Sequence, residues 1–253
     1  MNHLLFICAM IIGLCIPLSA QPPATPRPSP WSAGVFVATD SQPYAGASRK
    51  VRVLPYASYR GERLVWNGPL LQYKIQQSKK SSFAVHGLLQ FAAYDENDAP
   101  ILEGMGDRQN TLLAGIDWTY RPYPPLMLIA SFDTDILGVY NGQQVTLGLQ
   151  HAIGRPWNTF SGSVGAGLLI QDQNWTRYFV GVPTNKATPE RPAYAPSESF
   201  HPYLSAQILL RFNQDWALFS LARVEFLDET WRDSPLIGDD YRLMIYSAVS
   251  YTF

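Results

Sequence analysis

The stretch YRLMIYSAVSYTF, Tyr241–Phe253, decides how the rest of the chain is read. Counting back by twos from Phe253 gives Tyr251, Val249, Ser247, Ile245, Leu243 and Tyr241; the alternate set is Thr252, Ser250, Ala248, Tyr246, Met244 and Arg242. One face is apolar with aromatic ends and the other is mixed. A period of two is a strand period. Taken alone, the stretch fits both a half-buried soluble strand and a strand that faces lipid.

Composition narrows the choice. Charged residues make up 15% of the 253 residues, aromatics 13%, and the net charge is −1; a soluble domain carries roughly 25% charged residues. Residues 1–20, MNHLLFICAMIIGLCIPLSA, form an apolar run closed by Ser19 and Ala20, which reads as a cleaved signal peptide despite the lack of Lys or Arg at its start. Both cysteines, Cys8 and Cys15, fall inside it, and Leu14 before Cys15 is not the small residue a lipidation motif requires. Residues 21–30 contain five prolines and read as an extended linker. Beyond them no apolar run reaches the ~20 residues of a spanning helix. Only helices and closed barrels satisfy the backbone in lipid, so an exported, low-charge, aromatic-rich chain of this kind points to a barrel.

From Trp31 onward the chain divides into segments of about ten residues separated by Gly, Pro, Asn and Asp. Strands are expected to begin near Trp31, Lys50, Glu62, Ser82, Asn110, Leu126, Gln143, Thr159, Thr176, Phe200, Trp216 and Tyr241. In WALFSLARVEF, Trp216, Leu218, Ser220, Ala222, Val224 and Phe226 share one face, and Ala217, Phe219, Leu221, Arg223 and Glu225 the other. Aromatics bracket the apolar face ten steps apart, as Tyr241 and Tyr251 do. At about 3.3 Å per residue and a tilt near 40°, ten steps rise about 25 Å, the height of the apolar band between aromatic girdles. The apolar face is therefore assigned to lipid. The fold class is an all-β transmembrane antiparallel β-barrel of the bacterial outer membrane over residues 31–253, with about twelve strands and ten as the alternative.

Other segments follow the same alternation. NTLLAGIDWTY sets Leu112, Ala114, Ile116, Trp118 and Tyr120 outward, and FSGSVGAGLLIQ sets Phe160, Val164, Ala166, Leu168 and Ile170 against a glycine and serine face. Pro55 in KVRVLPYASY is out of place, because a closed barrel has no edge for a residue without an N–H. A bulge or a strand end there is the expected remedy.

Several anchors share their order with a known family. Tyr44-Ala45-Gly46, PYASYRG from Pro55 to Gly61, LEGMGDRQNTLLAG from Leu102 to Gly115, Tyr178-Phe179-Val180-Gly181-Val182, Ser234-Pro235-Leu236 and Tyr251-Thr252-Phe253 together resemble the MipA/OmpV family of MltA-interacting outer-membrane proteins. Gly104-Met105 with Arg108 three positions on is the most specific piece. The resemblance implies an outer-membrane barrel without known catalysis, acting as a scaffold between a lytic murein transglycosylase and a penicillin-binding protein, or as a surface antigen or adhesin.

Catalytic and metal chemistry lack carriers in the sequence. His86, His151 and His201 have no paired ligand spacing, and no cofactor motif is present. There is no G-x-S-x-G, and Ser199 near His201 is a pair of common loop residues. Lys79-Lys80 is too short a basic run for nucleic acid. Asn174-Trp175-Thr176 matches a glycosylation sequon that has no use in a bacterial setting. Arg52, Asp117, Arg223 and Glu225 point inward by alternation and either line a solute pore or form a charge network filling a plugged barrel.

Counting strands from a periplasmic start puts the loops Pro183–Ser199 and Asp228–Asp240, the candidate adhesive surfaces, outside the cell, but leaves the long segment 94–109 on the side where turns are short. Either a strand is miscounted or that segment has a task. As a periplasmic partner surface it offers Ile101, Leu102 and Met105 as apolar anchors, with Gly104 and Arg108 from the family-like motif; the bland alternative is a turn or an inward plug. Tyr251 and Phe253 are the expected signal for the barrel-assembly machinery.

Overall fold

The structure, a computed structural model, describes residues 29–154 and 159–253. The expected signal peptide and most of the linker lie outside the described residues. Twelve antiparallel strands close into a barrel in chain order: β1 Trp31–Asp40, β2 Lys50–Arg60, β3 Leu64–Asn67, β4 Leu70–Gln77, β5 Ser81–Gln90, β6 Thr111–Tyr120, β7 Leu126–Asp135, β8 Gln143–Gly154, β9 Phe160–Gln171, β10 Ser199–Arg211, β11 Trp216–Phe226 and β12 Tyr241–Thr252, with β12 pairing back onto β1. Two short helices, α1 Gln173–Val180 and α2 Glu229–Arg232, lie in loops.

The alternation read from sequence holds in three dimensions. Trp216 pairs with Tyr251 and Phe226 with Tyr241, so the two ten-step aromatic brackets are direct neighbours across one ladder. Exposed apolar side chains such as Val53, Ile116, Val164 and Val249 cover the outer wall, while Arg223 and Glu225 are buried on the inner face. Rings of Trp31, Tyr59 and Trp66 meet at 4.8 and 6.2 Å at the end that carries the chain termini. These side chains form part of an aromatic girdle.

The total of twelve agrees with expectation, but two individual strands do not. The strand expected near Thr176 is helix α1. Asp172 caps it by accepting from the Trp175 N–H at 2.8 Å, and Trp175, Thr176, Phe179 and Val180 form one buried stripe with helical rather than strand spacing. The strand expected from Glu62 is a hairpin, β3 and β4, turned at Gly68-Pro69. Gly68 there has φ of 53°, a left-handed conformation that costs glycine little.

That hairpin reverses every later strand up to the α1 segment. Loop 91–110 consequently lies at the end opposite the termini, together with loops 41–49, 136–142, 172–198 and 227–240. All connections at the terminus-bearing end are short, which identifies it as the periplasmic end.

Pro55 needs neither a bulge nor a strand end. Arg60 N–H bonds the Pro30 carbonyl and Gly68 N–H bonds the Ala57 carbonyl, so even-numbered positions of β2 point their backbone toward β1 and odd-numbered ones toward β3. Because β3 pairs only with Ser58–Arg60, the odd positions Val51, Val53 and Pro55 border a stretch with no paired strand. Proline occupies a place where an N–H has no ladder acceptor.

Candidate functional site: a corked chamber in the barrel lumen

Every long loop at the outer end folds inward. Tyr44, Tyr94, Leu102, Met105, Tyr140, Trp175, Phe179, Trp231 and Leu236, drawn from all five loops, form one buried cluster with Leu70, Leu88 and Leu113 from the strand tops. The loops are also stitched by backbone: Ala45 donates to the Leu236 carbonyl at 2.9 Å, and Tyr44 and Ile237 form a bridge. Lys50 at the start of β2 pairs with Asp98 of loop 91–110. The barrel mouth is closed by a cork made of its own loops.

The family-like segment is the centre of that cork. Leu102 and Met105 are 0% and 1% exposed, and Ile101 is half-buried against the same cluster. Gly104 and Gly106, at φ of 77° and 75°, let the chain double back between them. Arg191 of loop 172–198 donates to the carbonyls of Ile101 at 2.6 Å, Glu103 at 2.8 Å and Lys186 at 2.8 Å. Lys186 Nζ donates to the Met105 carbonyl at 2.5 Å. Arg108 lies over the rings of Tyr94 and Tyr178, 4.6 and 4.8 Å from their centroids. Burial pushes the Tyr94 hydroxyl up to about 12, with Arg108 pulling the other way, so this ring stays neutral at physiological pH. The periplasmic location assigned to this segment is corrected by the extra hairpin. Its apolar side chains serve the cork, because burial against the other four loops removes more apolar surface from water than an exposed turn does.

Beneath the cork lies a chamber of about 50 Å³, room for a few water molecules. Its roof is aromatic, from Tyr44, Trp175, Phe179 and Trp231, and its walls are polar, from Gln90, Gln144, Thr146 and Ser131. His86 stands at its side with Nδ1 2.9 Å from an Asp117 oxygen and Nε2 2.7 Å from an Asp133 oxygen. Gln72 Nε2 adds a 2.7 Å bond to Asp117. Arg242 forms a two-pronged pair with Asp40, and Arg223 sits 3.4 Å from Glu225 and 3.7 Å from the Tyr203 ring centroid. Two buried atoms on the chamber wall, Gln42 Oε1 and Trp231 Nε1, have no protein partner, the signature of sites that ordered water satisfies.

Asp117 points inward by the sequence alternation, and the structure brings it together with His86 and with Asp133, which no motif marks. Ser199, beside His201 in sequence, is tied by its hydroxyl to Thr176 at 3.1 Å. His201 instead meets the Trp231 ring at 5.1 Å. His151 lies exposed at the periplasmic half of β8. At that same end Phe253 is 67% exposed, its ring 5.4 Å from Tyr251. Cork residues Arg191 and Trp231 carry no signal in the sequence, and Tyr44 enters there only as a family anchor, since each acts through contacts with loops far away in sequence.

The family description of MltA-interacting protein MipA matches residues 33–253. The chain belongs to this MipA family. MltA-interacting protein of Escherichia coli (strain K12) is 24% identical over 237 residues, covering 88% of this chain and 90% of the relative. Outer membrane protein OmpV of Vibrio cholerae is 24% identical over 168 residues, covering 64% and 62%. Among solved structures, the NanC porin covers 87% of this chain and 99% of its own at TM-score 0.44 and 8% identity. An outer membrane channel from Pseudomonas putida F1 covers 93% and 100% at TM-score 0.42 and 10% identity. This MipA-family chain is an integral outer-membrane β-barrel.

Proposed function

We propose that this MipA-family barrel is a non-enzymatic docking protein that holds murein-processing enzymes, a lytic transglycosylase and a penicillin-binding protein, against the outer membrane. The observation that carries this reading is the cork. Five loops and three strand tops bury one continuous cluster over the lumen, and the charged side chains below are engaged with one another. A barrel filled in this way has little to offer a passing solute, and its work falls to its surfaces. The name of the Escherichia coli relative, MltA-interacting protein, supports a transglycosylase as one partner. The periplasmic end, with its short turns, is the surface within reach of the wall. Tyr251 and Phe253 are proposed to serve the assembly machinery from that end.

Two measurements test the proposal together. In planar bilayers the purified barrel is expected to show no steady conductance. Crosslinking in intact envelopes followed by mass spectrometry is expected to recover a lytic transglycosylase. A stable open channel combined with no murein enzyme in the crosslinked fraction overturns the reading in favour of a pore.

A further inference from the structure

The two ends of the barrel carry opposite charge. At the outer end eight exposed carboxylates, among them Glu103, Asp107, Asp239 and Asp240, outnumber exposed Arg49, Arg177 and Arg232. At the periplasmic end Arg60, Arg63, Lys79, Lys80, Arg121 and Arg211 stand against Glu62 and Asp215 among the described residues. Five of those six cations are exposed, and Arg121 is partly so. No ion pair among the described residues uses any of the six.

Their placement repeats a pattern. Arg60 follows Tyr59, whose ring meets Trp31 at 4.8 Å. Arg63 Nη1 donates to the Tyr73 hydroxyl at 3.4 Å. Lys80 precedes Ser81, whose hydroxyl accepts from the Trp118 indole at 3.2 Å. The Arg121 N–H bonds the Lys80 carbonyl at 2.7 Å, and Arg121 follows Tyr120, which stacks on Trp118 at 5.8 Å. Arg211 adjoins exposed Phe212 on the far side of the barrel. Arg60 and Arg121 therefore sit one step outside a girdle aromatic, and Arg63, Lys80 and Arg211 lie beside an aromatic or its hydrogen-bond partner, near the depth where lipid head groups lie.

From this geometry we infer that the periplasmic rim is a basic collar that binds anionic phospholipid head groups of the inner leaflet. The collar is densest on the arc from β2 to β6, which carries five of the six cations, with Arg211 across the barrel at the end of β10; a lipid is favoured over a protein because Arg60 and Arg121 directly follow girdle aromatics, at head-group depth. Phosphate diesters accept from both guanidinium and ammonium groups. The attraction of each cation to an anionic surface corresponds to about five-fold in local lipid preference. The inference does not depend on the docking role proposed above, and its test needs no partner protein.

The full barrel, refolded into bilayers of equal phosphatidylglycerol and phosphatidylcholine, is probed by quenching of its girdle tryptophans with one lipid brominated at a time. Phosphatidylglycerol is expected to be enriched at the wall by about five-fold in low salt, and to approach parity in about 0.5 M salt, where screening acts over a few ångströms. The variant Arg60→Gln, Arg63→Gln, Lys79→Gln, Lys80→Gln is expected to lose most of the preference while its heat-modifiable band shows a folded barrel. Exchanging the same four positions between Arg and Lys should retain it. Equal quenching by both lipids in the wild type, or an unchanged preference in the four-fold variant, overturns the inference. So does an absence of lipid preference accompanied by Lys79- and Lys80-dependent retention on murein sacculi, which assigns the collar to the wall.

Discussion

The Arg191 guanidinium donates a 2.6 Å hydrogen bond to the carbonyl of Ile101, which lies 90 residues earlier in the chain and in another loop. The same group holds the carbonyls of Glu103 and Lys186, so one buried side chain fixes the turn that carries Leu102 and Met105 into the cork. Arg191→Ala leaves these carbonyls without their charged donor, at a cost of about 3 kcal/mol to the cork. Faster hydrogen exchange in segments 95–109 and 184–191, with β-strand amides unchanged, is the expected outcome. Arg191→Lys should rescue only part of it, because an ammonium cannot match the planar fork. Wild-type exchange rates in Arg191→Ala would remove Arg191 from this role.

Tyr203 lies against a glycine niche on the inner wall. Gly167 pairs with both Gly148 and Tyr203, and a Cβ on Gly167 would come 2.2 Å from the Leu147 carbonyl oxygen and 2.5 Å from the Tyr203 ring. Gly167→Ala is therefore expected to destabilise the barrel by about 1–3 kcal/mol, read as a lower urea midpoint for unfolding in lipid. The control is Gly87→Ala, where nothing lies within 4 Å of the added atom and stability should stay within about 0.5 kcal/mol.

The half-open side of β2 makes neighbouring positions unequal. Leu54 pairs with Phe36 and points its backbone toward β1, whereas Pro55 points toward the stretch without a partner. Leu54→Pro is expected to cost about 3 kcal/mol or more, while Pro55→Val changes stability little. A clear gain in stability in Pro55→Val, from a new ladder hydrogen bond, would show that β2 is paired on both sides in the bilayer.

Phe253 is exposed at the periplasmic end, and its ring touches Tyr251. Removing an exposed ring changes the stability of the assembled barrel by no more than about 0.5 kcal/mol, so any large effect of Phe253→Ala must act before assembly. Outer-membrane levels of the variant are expected to fall several-fold in cells, while refolding of the purified chain into lipid proceeds normally. Normal levels in cells would count against an assembly signal.

The wall is legible in the sequence. A strand shows its two faces through a period of two, and lipid demands apolar side chains on one of them, so WALFSLARVEF and YRLMIYSAVSYTF could be assigned outward and inward residue by residue without knowing their neighbours. It also marked Pro55 as an anomaly. The tertiary structure alone decided the cork. Leu102 and Met105 lie among charged residues, a pattern that suits an exposed anchor and a buried plug equally well. Their burial depends on Arg191, Trp175 and Leu236, which no local window contains. The strand expected near Thr176 is a helix because Asp172, set among Gln171, Gln173 and Asn174, caps it and its buried residues follow a helical spacing, while Gly68-Pro69 turns a hairpin inside a segment of strand-like composition. That single hairpin also set which loops share an end, because each added turn reverses every strand after it. The separation of basic and acidic ends is a property of strand parity, fixed only once all twelve strands are paired.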